Sequence, residues 1–383
     1  MMVPGRQETP TDQHDTPTNQ RRMARDIRTT ARERLGYEQL LDGQEEAIRA
    51  VLQGRDTLAV MSTGAGRSAI YQISGFMLDG TTIVVSPLIA LQQDQLRSIE
   101  EHQAGPAGLI NSTLPSSERQ RVLDQLAAGE PEFVLLAPEQ FAVQGTVDQL
   151  RAARPSLFVI DEAHCISDWG HDFRPEYLNL STVIEALGRP TVLALTATAS
   201  PPVRDEIVGW LGITNAATIV RGFDRPNIDL AVERFADEAS KRRAFIERVT
   251  AAQSPWIVYV ATRRRAEELA DALRAEGVSA AAYHAGMGTA PRGAVQEAFM
   301  TGEAPVIVAT TAFGLGVDKP DGRFVFHYEI SDSVDAYYQE IGRAGRDGEA
   351  SRAVLFLPDG GPRRAPILRW RRPARVEPGH ACG

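Results

Sequence analysis

Lysine is nearly absent from these 383 residues. Of 41 basic side chains 39 are arginine, and Lys241 and Lys319 are the exceptions. Such a bias reads as drift of lysine to arginine along the whole chain, as a GC-rich coding sequence would produce. Cysteine is equally scarce. Cys165 and Cys382 alone cannot build a disulfide framework or a four-cysteine zinc site within one chain, so no zinc is expected. No apolar run reaches the ~18 residues of a membrane span. Pro87 interrupts the best candidate, TTIVVSPLIAL, and the polar N-terminus lacks a signal-peptide core. Net positive charge is missing too: the formal charge is −9. Any polyanion must therefore be held by local basic or stacking surfaces and not by a global field. Together these absences imply a soluble cytoplasmic protein, nucleoid-associated if bacterial, with no membrane partner.

What is present is a repeated α/β pattern. Residues 1–24, rich in Thr, Gln, Pro and Asp without an apolar period, read as a disordered leader. Short apolar runs then alternate with helix-length segments: TLAVM, TTIVVS, EFVLLAP, SLFVID and TVLALTAT. Runs of this length without polar alternation predict buried parallel strands. The pattern restarts with WIVYVAT, SAAAYHAG, PVIVATT, RFVFHYE and AVLFLP. Between the first two of these, RRRAEELADALRAEG predicts a helix burying Leu269 and Leu273 and stopping near Gly277. The expectation is two tandem α/β domains with parallel sheets, over 25–205 and 206–359. A disordered basic tail over 360–383 follows, with six arginines and four prolines. It is either a solvated tail or a nucleic-acid contact, and solvation is the ordinary reading of such a run.

Three segments carry chemistry. MSTGAGRS supplies small residues at Thr63, Gly64, Ala65 and Gly66, a cation at Arg67 and a hydroxyl at Ser68. These are the parts a phosphate-gripping loop needs, although a plain glycine-rich turn has the same composition. SLFVIDEAH ends an apolar strand in Asp161-Glu162. One carboxylate there can hold Mg²⁺ and its neighbour can polarise a water, whereas an isolated pair would serve merely as a cap. His164 is either a core histidine or, three residues after Asp161, part of the same site. Trp169, His171 and Phe173 follow, to pack or to stack on single-strand bases. In QEIGRAGRDG, Arg343 and Arg346 can project from one helical face after Gln339 towards a γ-phosphate, or stand in solvent.

Taken together, GYEQLLDGQ, SPLIALQQDQ, DEAHCISDWGHDFRPEY, LTATA, FDRPNI, AYHAG, ATTAFGLGVDKP and YYQEIGRAGRDG resemble, in order and spacing, the RecQ family of superfamily-two DNA helicases. The resemblance runs from about Leu35 to Pro358. It implies two RecA-like domains with the nucleotide site at the cleft between them, and an ATP-dependent motor moving 3′ to 5′ on single-stranded or partly duplex DNA in repair and recombination. It implies ATP and Mg²⁺ as cofactors, with a monomer the simplest state. Tyr37 and Gln44 would contact adenine, Thr63 to Ser68 the phosphates, and Ser68 and Asp161 the Mg²⁺. Asp161 and Glu162 together would manage the Mg²⁺ and the attacking water, with His164 a further candidate at the same site, and Gln339, Arg343 and Arg346 would complete it. Ser86, Pro87, Trp169, His171, Phe173, Arg174 and His284 would contact the strand. The RecQ-type aromatic segment argues against an RNA translocase.

Four positions depart from the family pattern. Arg67 stands for its lysine, Leu41 for an arginine against the adenine, Ala65 for a glycine and Asp168 for a glutamine. The resemblance also implies a zinc-binding subdomain and a winged helix, for which there is no sequence after Pro358. That leaves weak or partner-dependent unwinding, and a truncated or frame-altered end, as expectations. An alternative function follows from Arg67: a nucleotide- and DNA-binding protein impaired in hydrolysis.

Overall fold

A computed structural model describes residues 17–359, apart from 63–65, 88–91, 94, 98, 100–105, 131, 168–173, 222–224, 252–255, 314–318 and 320. The chain forms two compact units that meet in sequence at Arg225 and Pro226.

In the first unit the apolar runs become strands β1 (Thr57–Met61), β2 (Thr82–Val85), β3 (Ala107–Ile110), β4 (Phe133–Leu136), β5 (Leu157–Ile160), β6 (Thr191–Thr196) and β7 (Ala217–Arg221). They pair in the order β3-β4-β2-β5-β6-β1-β7, every pairing parallel. Because residues alternate faces, Leu58 and Val60 enter one apolar layer while Ala59 and Met61 enter the other. Both faces are covered, so β1, β2, β4 and β5 are buried at every position.

The second unit has a six-stranded sheet built from β8 (Ile228–Phe235), β9 (Trp256–Tyr259), β10 (Ala280–Tyr283), β11 (Val306–Ala309), β12 (Phe324–His327) and β13 (Ser351–Pro358). Its order is β10-β11-β9-β12-β13-β8, again all parallel. The helix Arg263–Ala275 buries Leu269 and Leu273, and Gly277 follows at φ +81°.

Two boundaries differ from the sequence reading. The first unit extends past 205, because the helix Pro201–Leu211 and β7 belong to it and β7 pairs with β1 along its whole length. Residues 17–24 are not part of a disordered leader: they open the helix Pro17–Leu35. That helix buries Ile27, Ala31 and Leu35 at four-residue spacing, and Met23 one turn earlier packs on the same apolar layer. Residues 1–16 and the tail 360–383 lie outside the described residues.

Both lysines sit with their heads over aromatic rings. Lys241 Nζ lies 4.0 Å from the Tyr328 ring centroid and 3.0 Å from Glu238 Oε2, with 3% of the residue exposed. Lys319 Nζ lies 5.4 Å from the Phe299 centroid and 3.3 Å from Asp321 Oδ1.

Candidate functional site

In an all-parallel sheet every strand delivers its following loop to the same edge, which is where α/β folds bind ligands. In the first unit that edge collects Gly66-Arg67-Ser68 after β1, Ser86-Pro87 after β2, Asp161-Glu162 after β5 and Thr198 after β6. Parallel topology thus turns motifs distant in sequence into neighbours.

The helix Arg67–Met77 starts on Gly66, whose φ of 63° suits glycine. Gln44 ties this start to the preceding segment: its Nε2 donates to Gly66 O at 2.9 Å, and its Oε1 accepts from Leu41 N at 2.8 Å. Arg67 crosses to the end of β5. Its Nη2 lies 2.8 Å from Glu162 Oε1, with side-chain exposures of 15% and 8%. Glu162 adopts φ 50°, an uncommon backbone for a residue with a side chain and one found at functional sites. His164 is 1% exposed. Its Nδ1 lies 3.0 Å from Thr196 Oγ1 and 3.4 Å from Glu162 Oε2, so it joins the acidic site from within the core.

Asp161 is fixed from three sides. Oδ1 accepts from Glu162 N at 3.0 Å, Oδ2 accepts from Gln95 Nε2 at 2.9 Å, and its carbonyl accepts from Tyr177 Oη at 3.1 Å. Burial, and then the charge of Asp161, push the Tyr71 phenol up. The hard-oxygen donors here, the Asp161 carboxylate and the Ser68 hydroxyl, suit Mg²⁺, which takes one or two carboxylates and completes its shell with water and phosphate. Among the described residues no group of three or more His, Cys, Asp and Glu could hold a metal alone.

Other expected site residues are differently placed. Tyr37 is half-buried and lines a cavity with Leu41. Ser86 and Pro87 are buried; their carbonyls accept from Gln92 Nε2 at 2.8 Å and Arg174 Nη1 at 2.9 Å. As placed, Ser86 is not presented to a strand. Thr63, Gly64, Ala65, Asp168, Trp169, His171 and Phe173 lie outside the described residues.

The second unit carries Gln339, Arg343, Arg346 and His284. The helix Val334–Ile341 is capped by Ser333 and bears Gln339, which is 8% exposed. Glu340 beside it accepts from His327 Nε2 at 2.9 Å and from the Ser331 hydroxyl. Arg343 is buried near the Tyr259 phenol, which donates to Phe313 O at 2.9 Å; burial pushes that phenol up to about 12 and the Arg343 charge draws it back down. Gly345 is clamped by Asn227, whose Nδ2 donates to Gly345 O at 2.8 Å and to Glu349 O at 3.0 Å. His284 is buried with Nε2 3.0 Å from Glu267 Oε1. Reasoning from the sequence missed Gln95, Asn227 and the His327–Glu340 pair. Gln95 and Asn227 lie inside SPLIALQQDQ and FDRPNI, so the signal was present without a role attached.

Residues 42–207 match the DEAD/DEAH box helicase family and residues 240–348 the helicase conserved C-terminal domain. The structure of Mycobacterium smegmatis helicase Lhr bound to ssDNA and AMP-PNP superposes with a TM-score of 0.63 at 24% identity, over 88% of this chain and 47% of that one. The two parallel-sheet α/β units thus share the fold of that structure. The probable ATP-dependent DNA helicase RecS of Bacillus subtilis is 42% identical over 85% of this chain, and the ATP-dependent DNA helicase RecQ of Haemophilus influenzae 41% identical over 84%. The chain spans 65% and 51% of their lengths. It belongs to the RecQ family, as a helicase core. Among the described residues no helix is long and apolar enough to cross a membrane.

Proposed function

We propose that this chain is an ATP-driven DNA motor core of RecQ type, which couples nucleotide turnover to 3′-to-5′ movement on single-stranded DNA in repair and recombination. The observation that carries the reading is the meeting of Arg67, at the start of the helix after β1, with Glu162 at the end of β5, 2.8 Å apart. A cation and a buried carboxylate at the strand-end edge suit phosphoryl transfer to water. Gly66 and Ser68 flank Arg67 and would meet the phosphates. Ser68 and Asp161 would hold Mg²⁺, which would supply stabilisation of negative charge at the phosphates. Glu162 would orient and deprotonate the water. Gln339, Arg343 and Arg346 would complete the nucleotide site, with Arg346 as the finger. The relatives' names support DNA as the polymer.

The same contact favours a second reading, in which hydrolysis is throttled. A guanidinium already bound to Glu162 withdraws that carboxylate from the water, and it is longer and less compact than the family's ammonium. ATP hydrolysis with and without single-stranded DNA tests both readings, comparing the natural chain with Arg67→Lys and Glu162→Gln. DNA-stimulated turnover above Glu162→Gln supports the motor. Turnover equal to that control, restored by Arg67→Lys, supports the throttled form. No turnover and no nucleotide binding by any of the three would refute both.

A further inference from the structure

A cavity of about 520 Å³ lies beside the start of the Arg67–Met77 helix. One wall is the helix Pro17–Leu35, through Arg28, Ala31 and Arg32; the facing wall is Tyr37, Leu40 and Leu41. Its connection to the phosphate-gripping end is short and runs through two hydrogen bonds. Leu41 N donates to Gln44, Gln44 donates to Gly66 O, and a Cβ placed on Gly66 would lie 3.7 Å from Leu41 Cδ1. Leu41 leaves 50% of its surface open, an apolar face without a cover.

The cavity's charge is balanced. Glu38, Asp42 and Glu45 also line it, and each is paired: Glu38 with Arg32 at 3.4 Å, Glu45 with Arg28 at 2.9 Å and Asp42 with Arg221 at 3.6 Å. A phosphate would meet three carboxylates there. A neutral, planar heterocycle would instead find an aromatic ring, an apolar wall and two guanidinium planes, the combination on which bases stack. Arg32 and Glu38 are 61% and 80% exposed, so Arg32 is lightly held and can turn over a ring.

We infer that the helix Pro17–Leu35 forms one wall of the base pocket of the nucleotide site, with Arg28 and Arg32 laid against the adenine ring. This rests on the nucleotide-binding reading above. Leu41 gives the pocket its apolar side, and the cation comes from a separate helix, more than one turn of chain upstream.

Calorimetric titration with ATP and with inorganic triphosphate tests it, comparing the natural chain, Arg28→Ala/Arg32→Ala and Arg21→Ala. Arginine to alanine preserves helix propensity, and Arg21 lies on the same helix outside this cavity. The double variant is expected to bind ATP about three- to tenfold more weakly than Arg21→Ala, with triphosphate affinity unchanged between them. Adding Leu41→Arg to the double variant is expected to restore ATP binding, from the opposite wall. Equal losses for ATP and triphosphate, or no loss relative to Arg21→Ala, overturn the inference and leave nucleotide binding standing. Failure of the natural chain to bind either ligand overturns both.

Discussion

The Arg67 guanidinium donates to Glu162 Oε1 at 2.8 Å, and the two side chains are almost withdrawn from solvent. A buried carboxylate bonded to a permanent cation is a weaker base than one bonded to water. General-base assistance typically contributes 10²–10⁴-fold. Arg67→Lys is therefore expected to raise the kcat for ATP at least about tenfold. A fall in turnover would mean that the arginine is the working cation.

Gly345 stands at φ 55° with no room for a side chain. A Cβ there would lie 2.5 Å from Asn227 Nδ2, 2.6 Å from Ser351 Oγ and 2.7 Å from Glu349 O. Gly345→Ala is expected to destabilise the second unit by about 2–4 kcal/mol, combining backbone strain with overpacking. Denaturant unfolding followed by the fluorescence of Trp256 would register it; a change below ~0.5 kcal/mol would show that the loop relaxes freely.

How much of this was legible in the sequence depends on how local each cause is. Strands buried on both faces, such as FVLL and LFVI, announce themselves as unbroken apolar runs. β7 and β8 did not, because they lie at sheet edges with half-exposed patterns, as in IDLAVERF. The helix Pro17–Leu35 hid behind its arginines, although Met23, Ile27, Ala31 and Leu35 form a stripe. At the site, Asp161, Glu162 and Arg67 were readable as types. The Arg67–Glu162 bond was not, because it joins residues 95 apart through a sheet order that no local pattern encodes.

Tyr259 and Tyr337 in the second unit are both pushed up to about 12, in each case mainly by burial. Their folded state favours the neutral phenol, so this contribution is complete below the ordinary value near 10 and is lost as pH rises from 10 to 12. Each tyrosine accounts for on the order of 2–3 kcal/mol over that window. Alkaline unfolding of the natural chain should be steeper than that of Tyr259→Phe/Tyr337→Phe. Parallel pH curves would contradict this.

Lys241→Arg is expected to cost about 1–3 kcal/mol by overpacking a head group already 4.0 Å from the Tyr328 centroid. Thermal unfolding with an unchanged midpoint would show that the site tolerates a guanidinium.

The two buried lysines also set the chain's surface chemistry. Reagents and enzymes that acylate, crosslink or tag ε-amines find two within 383 residues. One is 3% exposed and the other 9%, each engaged by a carboxylate and a ring. A surface that carries its positive charge on guanidinium groups keeps that charge under amine-directed modification, so its electrostatics are insulated from chemistry that would neutralise a lysine-rich homologue.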